Sequence, residues 1–557
     1  MAATLDWSHD LLADDERTVF RRLAVFAGGF DLDAAAYVCD VGEVVDSLGR
    51  LVDKSLVVAD TTSGAAARYR LLEVIRQYAL DHLDEARETR ACRDRHRDWY
   101  MREAESHDPD RDNPVVLEPS PWFDTERDNL RAALSTAIEG GPSAALRLAT
   151  STWRFFMSRG QIAEGSRWLT SALDACSEVS ATRARALFAL GVFFVRRAEK
   201  EALLPIGQQV VEVCEATGDD ESAALALDQH AIFTLMGHDW ATAIAQSTAS
   251  VARCENSPKV RACAGQFTGV TALATGDASA AGKAYAAALR AVALVPPQSA
   301  PFFTVLNPTW TIERGPVPLL TAEDTMLLGR RVGAEQARGY LTAAAAIADR
   351  VGGLGERALL RLLEAESCFR RLGDDYGLAY TLNQRAQTLR SLRALDAAIA
   401  TFARALELRR SLRDERAIAI SMSGRSFAQA LRGQADAARN EVREALTMME
   451  RSGDTVGLSL IANNATITEL LLGNHAEATS HLERTIEIFE RLPQRFSGWQ
   501  YLLLAHLRLV ATDRSGSAAA ARIAHQIFQD FGDERGTPAL QSACKAGRVM
   551  IEASPST

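Results

Sequence analysis

Paired cysteines, long apolar runs and a surplus of positive charge are all missing from this 557-residue sequence. The eight cysteines stand singly, at Cys39, Cys92, Cys176, Cys214, Cys254, Cys263, Cys368 and Cys544, with no C-x-x-C pair among them. That excludes a disulfide framework and a structural zinc site, and predicts thiols buried in helices as small hydrophobes. No apolar run reaches the roughly eighteen residues of a membrane helix, and Met1 to Asp10 is polar and acidic, unlike a secretory signal. A cytoplasmic protein without membrane association is the expectation. The net charge of −10 offers no general attraction to nucleic acid, so any DNA binding would have to be local.

Motifs of chemistry are absent as well. The chain contains no G-x-x-x-x-G-K-[ST] phosphate loop, no H-E-x-x-H and no G-x-S-x-G. Its ten histidines are dispersed, and the tight pair His475 and His481 falls on opposite sides of a helix. No catalytic, metal-binding or cofactor-binding residues are therefore expected, and neither is an enzyme.

What is present is a repeat. From Gly353 to about Leu492 the chain echoes itself every forty residues: Leu372-Gly373-Asp374, Leu412-Arg413-Asp414, Ser452-Gly453-Asp454. A second marker keeps the same step, with Arg393 before Ala394-Leu395-Asp396, Gly433 before Gln434-Ala435-Asp436 and Gly473 before Asn474-His475-Ala476. Each interval has helical spacing. Leu378, Leu382, Ala386 and Leu389 line one face between Tyr376 and Leu392, while Ala398, Phe402, Ala405 and Leu406 line another between Asp396 and Arg410. Neither helix can bury its face without a neighbour, which predicts an α-solenoid of stacked hairpins. Markers at Gly160, near Glu199, and at Gly237 and Gly276 extend the pattern towards the N-terminus. The alternation of small and large residues (Ala398, Phe402, Ala405) and the turn glycines resemble tetratricopeptide repeats in a longer form found in bacterial regulators.

The period breaks between Val295 and about Gly333, where Pro296, Pro297, Pro301, Pro308, Pro316 and Pro318 interleave with Phe302, Phe303 and Trp310. Proline removes a helical donor, so no regular hairpin runs through here. Two readings stay open: a degenerate repeat bridging two sub-arrays, or a loop folded into the groove as a lid or docking segment that uses Phe302, Phe303 and Trp310.

Residues 1–90 read differently. Helices are predicted over Asp14 to Phe26, Asp31 to Cys39 and Glu43 to Lys54, then strands at Ser55 to Val58 and Arg68 to Leu72 around a polar tip, and a helix from Glu73 to Ala86. Three helices, a hairpin and a fourth helix describe a winged helix. Leu5-Asp6-Trp7-Ser8, the run Phe20 to Phe30 with its Ala27-Gly28-Gly29 turn, Leu48 to Leu56, and Leu71 to Ala79 resemble the winged-helix segment of actinobacterial-type STAND (signal-transduction NTPase) regulators. The stretch Trp122-Phe123 through Glu126-Arg127-Asp128-Asn129-Leu130-Arg131-Ala132-Ala133-Leu134 is similar to that family's approach to its repeats.

The resemblance implies a winged helix that relays between modules, beside an array where an effector or partner registers. The family's nucleotide-binding module has no counterpart before this winged helix, nor does a closing LuxR-type domain follow the array. Either the chain is a stand-alone remnant or a partner chain carries the nucleotide module.

A winged helix also invites a DNA reading, with Arg50 and Lys54 on the third helix and Arg68 and Arg70 in the wing. Residues 1–90 hold ten Lys or Arg against seventeen Asp or Glu, a balance ill suited to neutralising phosphates. The helix from Arg90 to Glu105 alternates in charge sign and reads as a solvated connector, and Asp108 to Pro121 as a Pro-rich loop. Within the array, the forty-residue step puts Asn383, Ser423 and Asn463 in one column, with Gln384, Gly424 and Asn464 beside it. Such a row would line the inner surface of a solenoid and hold a partner, or simply be a solvated face.

The expected architecture is mainly α: a winged helix at 1–90, a helical connector and Pro-rich loop at 91–135, a first sub-array at 136–294, the irregular insertion at 295–335, a second sub-array at 336–545 and a tail at 546–557. The expected function is non-enzymatic: a sensor or scaffold arm of a bacterial signalling or transcription-control system, binding a protein partner or small effector. The alternative is a transcriptional regulator that uses the winged helix on DNA directly.

Overall fold

The structure, a computed structural model, describes residues 2–550 except 43, 61–66, 109–119, 198, 237–238, 300–301, 306–309, 314–318, 323–330, 492–496, 531–532 and 534. The marker Gly237, most of the loop between Asp108 and Pro121, the wing tip and the residues after Met550 lie outside the described residues. The chain divides into two compact units. One comprises Met1–Arg111, Pro119–Phe155 and Arg167–Glu178, the other Asp112–Glu118, Phe156–Ser166 and Val179–Thr557.

The first unit begins with a helix where only a polar lead was expected. α1 (Ala2–Asp10) is held by its neighbours: Tyr78 donates to Asp6 Oδ1 at 2.9 Å, and the ring of His9 stacks on that of His82 at 4.2 Å. Next come α2 (Asp14–Leu23), α3 (Leu32–Cys39), α4 (Val44–Asp53), the antiparallel strands β1 (Val58–Asp60) and β2 (Arg68–Arg70), and α5 (Glu73–Glu85). Val19, Phe20, Leu23, Phe26, Phe30, Leu48 and Leu51 form its buried core. β1 starts later than the apolar run Leu56-Val57-Val58 suggests. Ser55 takes a positive φ of 57°, and the Leu56 and Val57 amides turn back to the Leu51 carbonyl, so the chain straightens only at Val58.

α6 (Thr89–Ser106) corrects the expectation of a solvated connector. Cys92, His96, Tyr100 and Ala104, four residues apart, are buried against α3 and α8 (Arg127–Gly140), with the short α7 (Pro121–Thr125) leading into α8. The charge alternation occupied the other faces and hid that stripe.

α9 (Pro142–Ser158) and α10 (Ile162–Ala175) are each divided between the units. The second unit continues as helical hairpins: α11 (Ala181–Arg197) with α12 (Lys200–Ala216), α13 (Asp220–Met236) with α14 (Trp240–Arg253), and α15 (Pro258–Thr275) with α16 (Ala278–Val292). After the insertion come α17 (Ala334–Val351) with α18 (Gly355–Leu372), α19 (Asp375–Ser391) with α20 (Leu395–Ser411), and α21 (Glu415–Leu431) with α22 (Ala435–Ser452). The last are α23 (Thr455–Leu471) with α24 (His475–Arg491), α25 (Ser497–Val510) with α26 (Arg514–Asp530), and α27 (Gly536–Lys545).

The forty-residue markers have a plain physical basis. The first member of each Gly/Arg-Asp pair leaves the preceding helix with positive φ: 64° at Gly373, 53° at Arg413, 69° at Gly453. The Asp then caps the next helix, its side chain accepting from the Gly377, Ala417 and Gly457 amides at 2.8, 2.9 and 2.7 Å. A stop and a start occupy two adjacent residues.

The insertion is not a helical hairpin. β3 (Phe303–Thr304) pairs antiparallel with β6 (Arg331–Val332), and β4 (Trp310–Glu313) with β5 (Leu319–Ala322). β5 runs beside α23 and α25, and β4 beside α15. All eight cysteines are reduced thiols, but Cys214, Cys254 and Cys544 are only half-buried, and Cys254 sits just past the end of α14.

Candidate interaction sites in the winged helix and the repeat array

The acidic start of α2 determines what the third helix can offer. Glu16, 2% exposed, receives the Ala13 amide at 2.9 Å, Arg50 Nε at 2.6 Å and Lys54 Nζ at 2.5 Å. Burial on its own would raise this carboxyl, but the Lys54, Ala13 and Arg50 hydrogen bonds outweigh it and hold Glu16 down to about 2. Arg50 also donates to Asp15 Oδ2, which in turn accepts from Ser47 Oγ at 2.9 Å. Arg50 and Lys54 are thus paired within the domain, although their side chains remain 44% and 36% exposed. In the wing, Arg68 pairs with Glu126 at 2.6 Å and donates to the Gly29 carbonyl at 2.7 Å, whereas Arg70 is exposed.

Arg68 belongs to a buried polar latch that the motifs contained but did not announce. Asn129 Oδ1 accepts the Ala27 and Gly28 amides at 3.0 and 3.2 Å, and its Nδ2 donates to the Gly29 carbonyl and to Glu126 Oε2, both at 2.8 Å. Tyr100 donates to the same Glu126 oxygen at 3.0 Å. His96 lies alongside, pushed down to about 4 by burial against the opposing pull of Asn129. The Ala27-Gly28-Gly29 turn and the Glu126-Asn129 pair, a hundred residues apart, are partners. The one signal available was that both belong to the same family resemblance; spacing alone could not join them.

In the array, the predicted inner row is buried. Asn383, Gln384, Ser423, Asn463 and Asn464 are each 0–4% exposed, where an accessible groove was expected. All but Gln384 join a ladder between successive first helices. Asn383 Oδ1 accepts from Ser421 Oγ at 2.9 Å, Ser423 Oγ accepts from Asn464 Nδ2 at 3.1 Å, and Asn463 Oδ1 accepts from Gln500 Nε2 at 2.6 Å. Arg409, also buried, donates to Ser421 Oγ and to the Ala417 carbonyl. Gln500 was missed because it follows Asn463 by thirty-seven residues, off the forty-residue step. The ladder is incomplete: Asn383 Nδ2, both amide atoms of Gln384 and Gln500 Oε1 are buried without a hydrogen-bond partner.

Of the insertion residues, Phe302 and Phe303 are buried in the array core and are not presented as a docking surface. Phe303 opposes Val332 on the β3/β6 pair, and Gln266 Nε2 ties the neighbouring Thr304 carbonyl at 2.6 Å. Trp310 opens β4, and its side chain lies outside the described residues. Among the described residues no cluster of three or more His, Cys, Asp or Glu is arranged to hold a metal, and no helix is long and apolar enough to cross a membrane.

The N-terminal module has counterparts among known proteins. Residues 12–84 match the winged helix-turn-helix domain family. A protein of Mycobacterium tuberculosis (strain ATCC 25618 / H37Rv) named as an HTH-type transcriptional regulator is 42% identical over 201 residues, 34% of this chain and 22% of its own length. An uncharacterized protein of the same strain is 48% identical over 103 residues, 17% of this chain and 26% of its own. The chain therefore spans about a quarter or less of the curated relatives it matches. Among solved structures, a STAND protein with a tetratricopeptide repeat sensor from Pyrococcus horikoshii aligns over 97% of this chain and 66% of its own, at 12% identity and a TM-score of 0.41. A Rap protein complexed with competence and sporulation factor aligns over 70% of this chain and 99% of its own, at 10% identity and a TM-score of 0.41. The N-terminal module is a winged helix-turn-helix domain, and a solenoid of tetratricopeptide-like hairpins comes after it in the chain.

Proposed function

We propose that this chain is a recognition arm in bacterial transcription control. Its array takes a protein partner or effector, which reaches the buried Asn383, Gln384, Ser423, Asn463 and Asn464 row only if neighbouring helices part, and its winged helix docks to other modules without reading bases. The observation that carries this reading is the fate of the cations: Arg50, Lys54 and Arg68 are already matched by Asp15, Glu16 and Glu126. A phosphate would have to break those pairs, and both Glu16 and Glu126 are carboxylates only 2% exposed. The array, in contrast, holds amide groups whose hydrogen bonds are unfilled. The name carried by the mycobacterial relatives supports a place in transcription control. A nucleotide-binding module, if the system uses one, would lie on another polypeptide or outside these 557 residues.

Fluorescence anisotropy of labelled duplex DNA against the purified chain, from low salt upward, tests the reading. The expected result is no saturable, salt-sensitive association, with Arg50→Glu/Arg68→Glu indistinguishable from the parent. Saturable binding that falls steeply with salt and disappears in the double variant would overturn it in favour of a DNA-binding regulator.

A further inference from the structure

One junction of the array is underfilled. In α18, Phe369 lies against Gly339 of α17 and Gly377 of α19, and in α20 Phe402 reaches Gly424 of α21, so a large side chain from the second helix fills the space before the next first helix. α14 has none to offer: its buried residues are Ala243, Ser247 and Ser250. It packs on α15 more loosely than any later second helix, from α16 to α24, packs on the first helix that follows it. α15 and α16, by contrast, are pressed together. A Cβ at Gly265 would stand 2.9 Å from the Ala288 Cβ, and one at Gly269 would stand 2.5 Å from the Tyr285 ring. The missing volume therefore gathers on the α14 side.

A recess of about 430 Å³ opens there, where α14 and α16 finish and α15 begins. Val251 of α14, Ala264 and Thr268 of α15, Ala287 and Ala291 of α16, and Leu294 just beyond it form short or apolar walls. Leu294 is 66% exposed, a leucine left to solvent at the rim of an apolar floor. The charged residues in the lining are Arg261 and Arg290, both exposed, and no acid accompanies them among the described residues. Arg253, close by at the end of α14, is matched by Glu215 and Asp220. Arg261 and Arg290 have no ion pair or side-chain hydrogen bond among the described residues. The volume falls in the range of small-molecule sites, and two unmatched cations over an apolar floor are complementary to an organic anion with an apolar body.

We propose that this recess is an effector site for a small amphipathic organic carboxylate. Arg261 and Arg290 hold the head group, and Val251, Ala264, Ala287, Ala291 and Leu294 receive the apolar body. The ligand supplies the volume that α14 lacks, so its binding tightens the α14–α15 junction and fixes the two hairpins against each other. The purpose of the site rests on the reading of the array as a recognition arm; its chemistry rests on the recess alone, apart from the amide row.

Displacement of anilinonaphthalene sulfonate, itself an apolar anion, from the full chain by sodium decanoate below its micelle concentration tests the site by fluorescence, with calorimetry giving the stoichiometry. One-to-one, saturable displacement is expected. Arg261→Gln/Arg290→Gln is expected to weaken decanoate by about tenfold or more, and decanol, which lacks the charge, to bind weaker than decanoate by a similar factor. Ala287→Trp, at an exposed position, fills the recess and is expected to abolish binding while thermal unfolding shows the chain intact. Decanoate is also expected to slow amide hydrogen exchange in α14 and α15. Absent saturable displacement, or displacement indifferent to both variants, overturns the site, and decanol binding as tightly as decanoate overturns the role of the arginines. A hexaglutamate peptide that binds where decanoate does not would replace the proposal with a docking surface for an acidic protein segment. Asn383→Ala/Asn463→Ala is expected to leave decanoate binding unchanged; loss of binding in that variant would move the site to the amide row. DNA anisotropy reads the winged helix separately, so its outcome and this one can fail independently.

Discussion

Single side chains show where this protein departs from a uniform apolar stack. Asp228 on α13 is 2% exposed, and its carboxyl accepts from Ser247 Oγ at 3.3 Å. Burial pushes that carboxyl up to about 7 from an ordinary 3.8, with Ser247 only partly opposing. A raised carboxyl contributes stability that is complete below 3.8 and lost as pH rises through about 7, so at neutral pH Asp228 works against the fold. Asp228→Asn keeps the acceptor for Ser247 and removes the ionisation. Its melting temperature is expected above the parent's at pH 8, by the equivalent of roughly 2–4 kcal/mol, with the difference closing near pH 4. Thermal unfolding at the two pH values checks this; equal shifts at both would show that ionisation is not the cause. Nothing in the spacing around Asp228 marked it, because a lone aspartate in a helix reads as solvated until its neighbours are placed. The acidic balance of the winged helix was visible by counting, but not that Glu16, and Glu126 from beyond the counted stretch, would be buried beneath Arg50, Lys54 and Arg68.

At the scale of elements, the turns were the most legible part. A positive-φ residue followed by a capping aspartate is a local device, so its period survives in the sequence and places the hairpins after Gly353. The same logic exposes a weakness. Arg393 ends α19 at φ 62°, where the equivalent Gly433 and Gly473 carry no Cβ penalty. Arg393→Gly is expected to stabilise the chain by about 0.5–1 kcal/mol, measured as a rise in the denaturation midpoint with an unchanged slope. A fall in the midpoint would mean that Arg393 makes a contact stronger than its backbone strain. The insertion was legible only as an interruption. Prolines forbid helix, but whether the freed segment forms strands depends on partners such as Val332 for Phe303, twenty-nine residues further on.

The whole molecule is assembled by contacts between distant segments. The first unit extends past the winged helix because Glu126 and Asn129 complete hydrogen bonds for Ala27, Gly28, Gly29 and Arg68. A fragment of residues 1–90 leaves those groups unmatched, whereas 1–141 retains them. The longer fragment is expected to be more stable by at least about 2–4 kcal/mol in chemical denaturation, since in the shorter one a charged group and two backbone amides lose their partners and α3 also loses the buried face of α6. Equal stability would reduce the latch to an incidental contact.

Local chemistry is written in the sequence, and it was enough to establish the helical hairpins, their phase, the winged-helix order of elements and the lack of catalytic motifs. Helical periodicity and capping act over four residues or fewer, so they can be read one stretch at a time. The tertiary structure decided what is accessible. Pitch and curvature of a superhelix accumulate from small rotations at every hairpin, and they determine that a row of amides becomes an interior ladder and that Arg196 meets Asp454 two hundred and fifty-eight residues later.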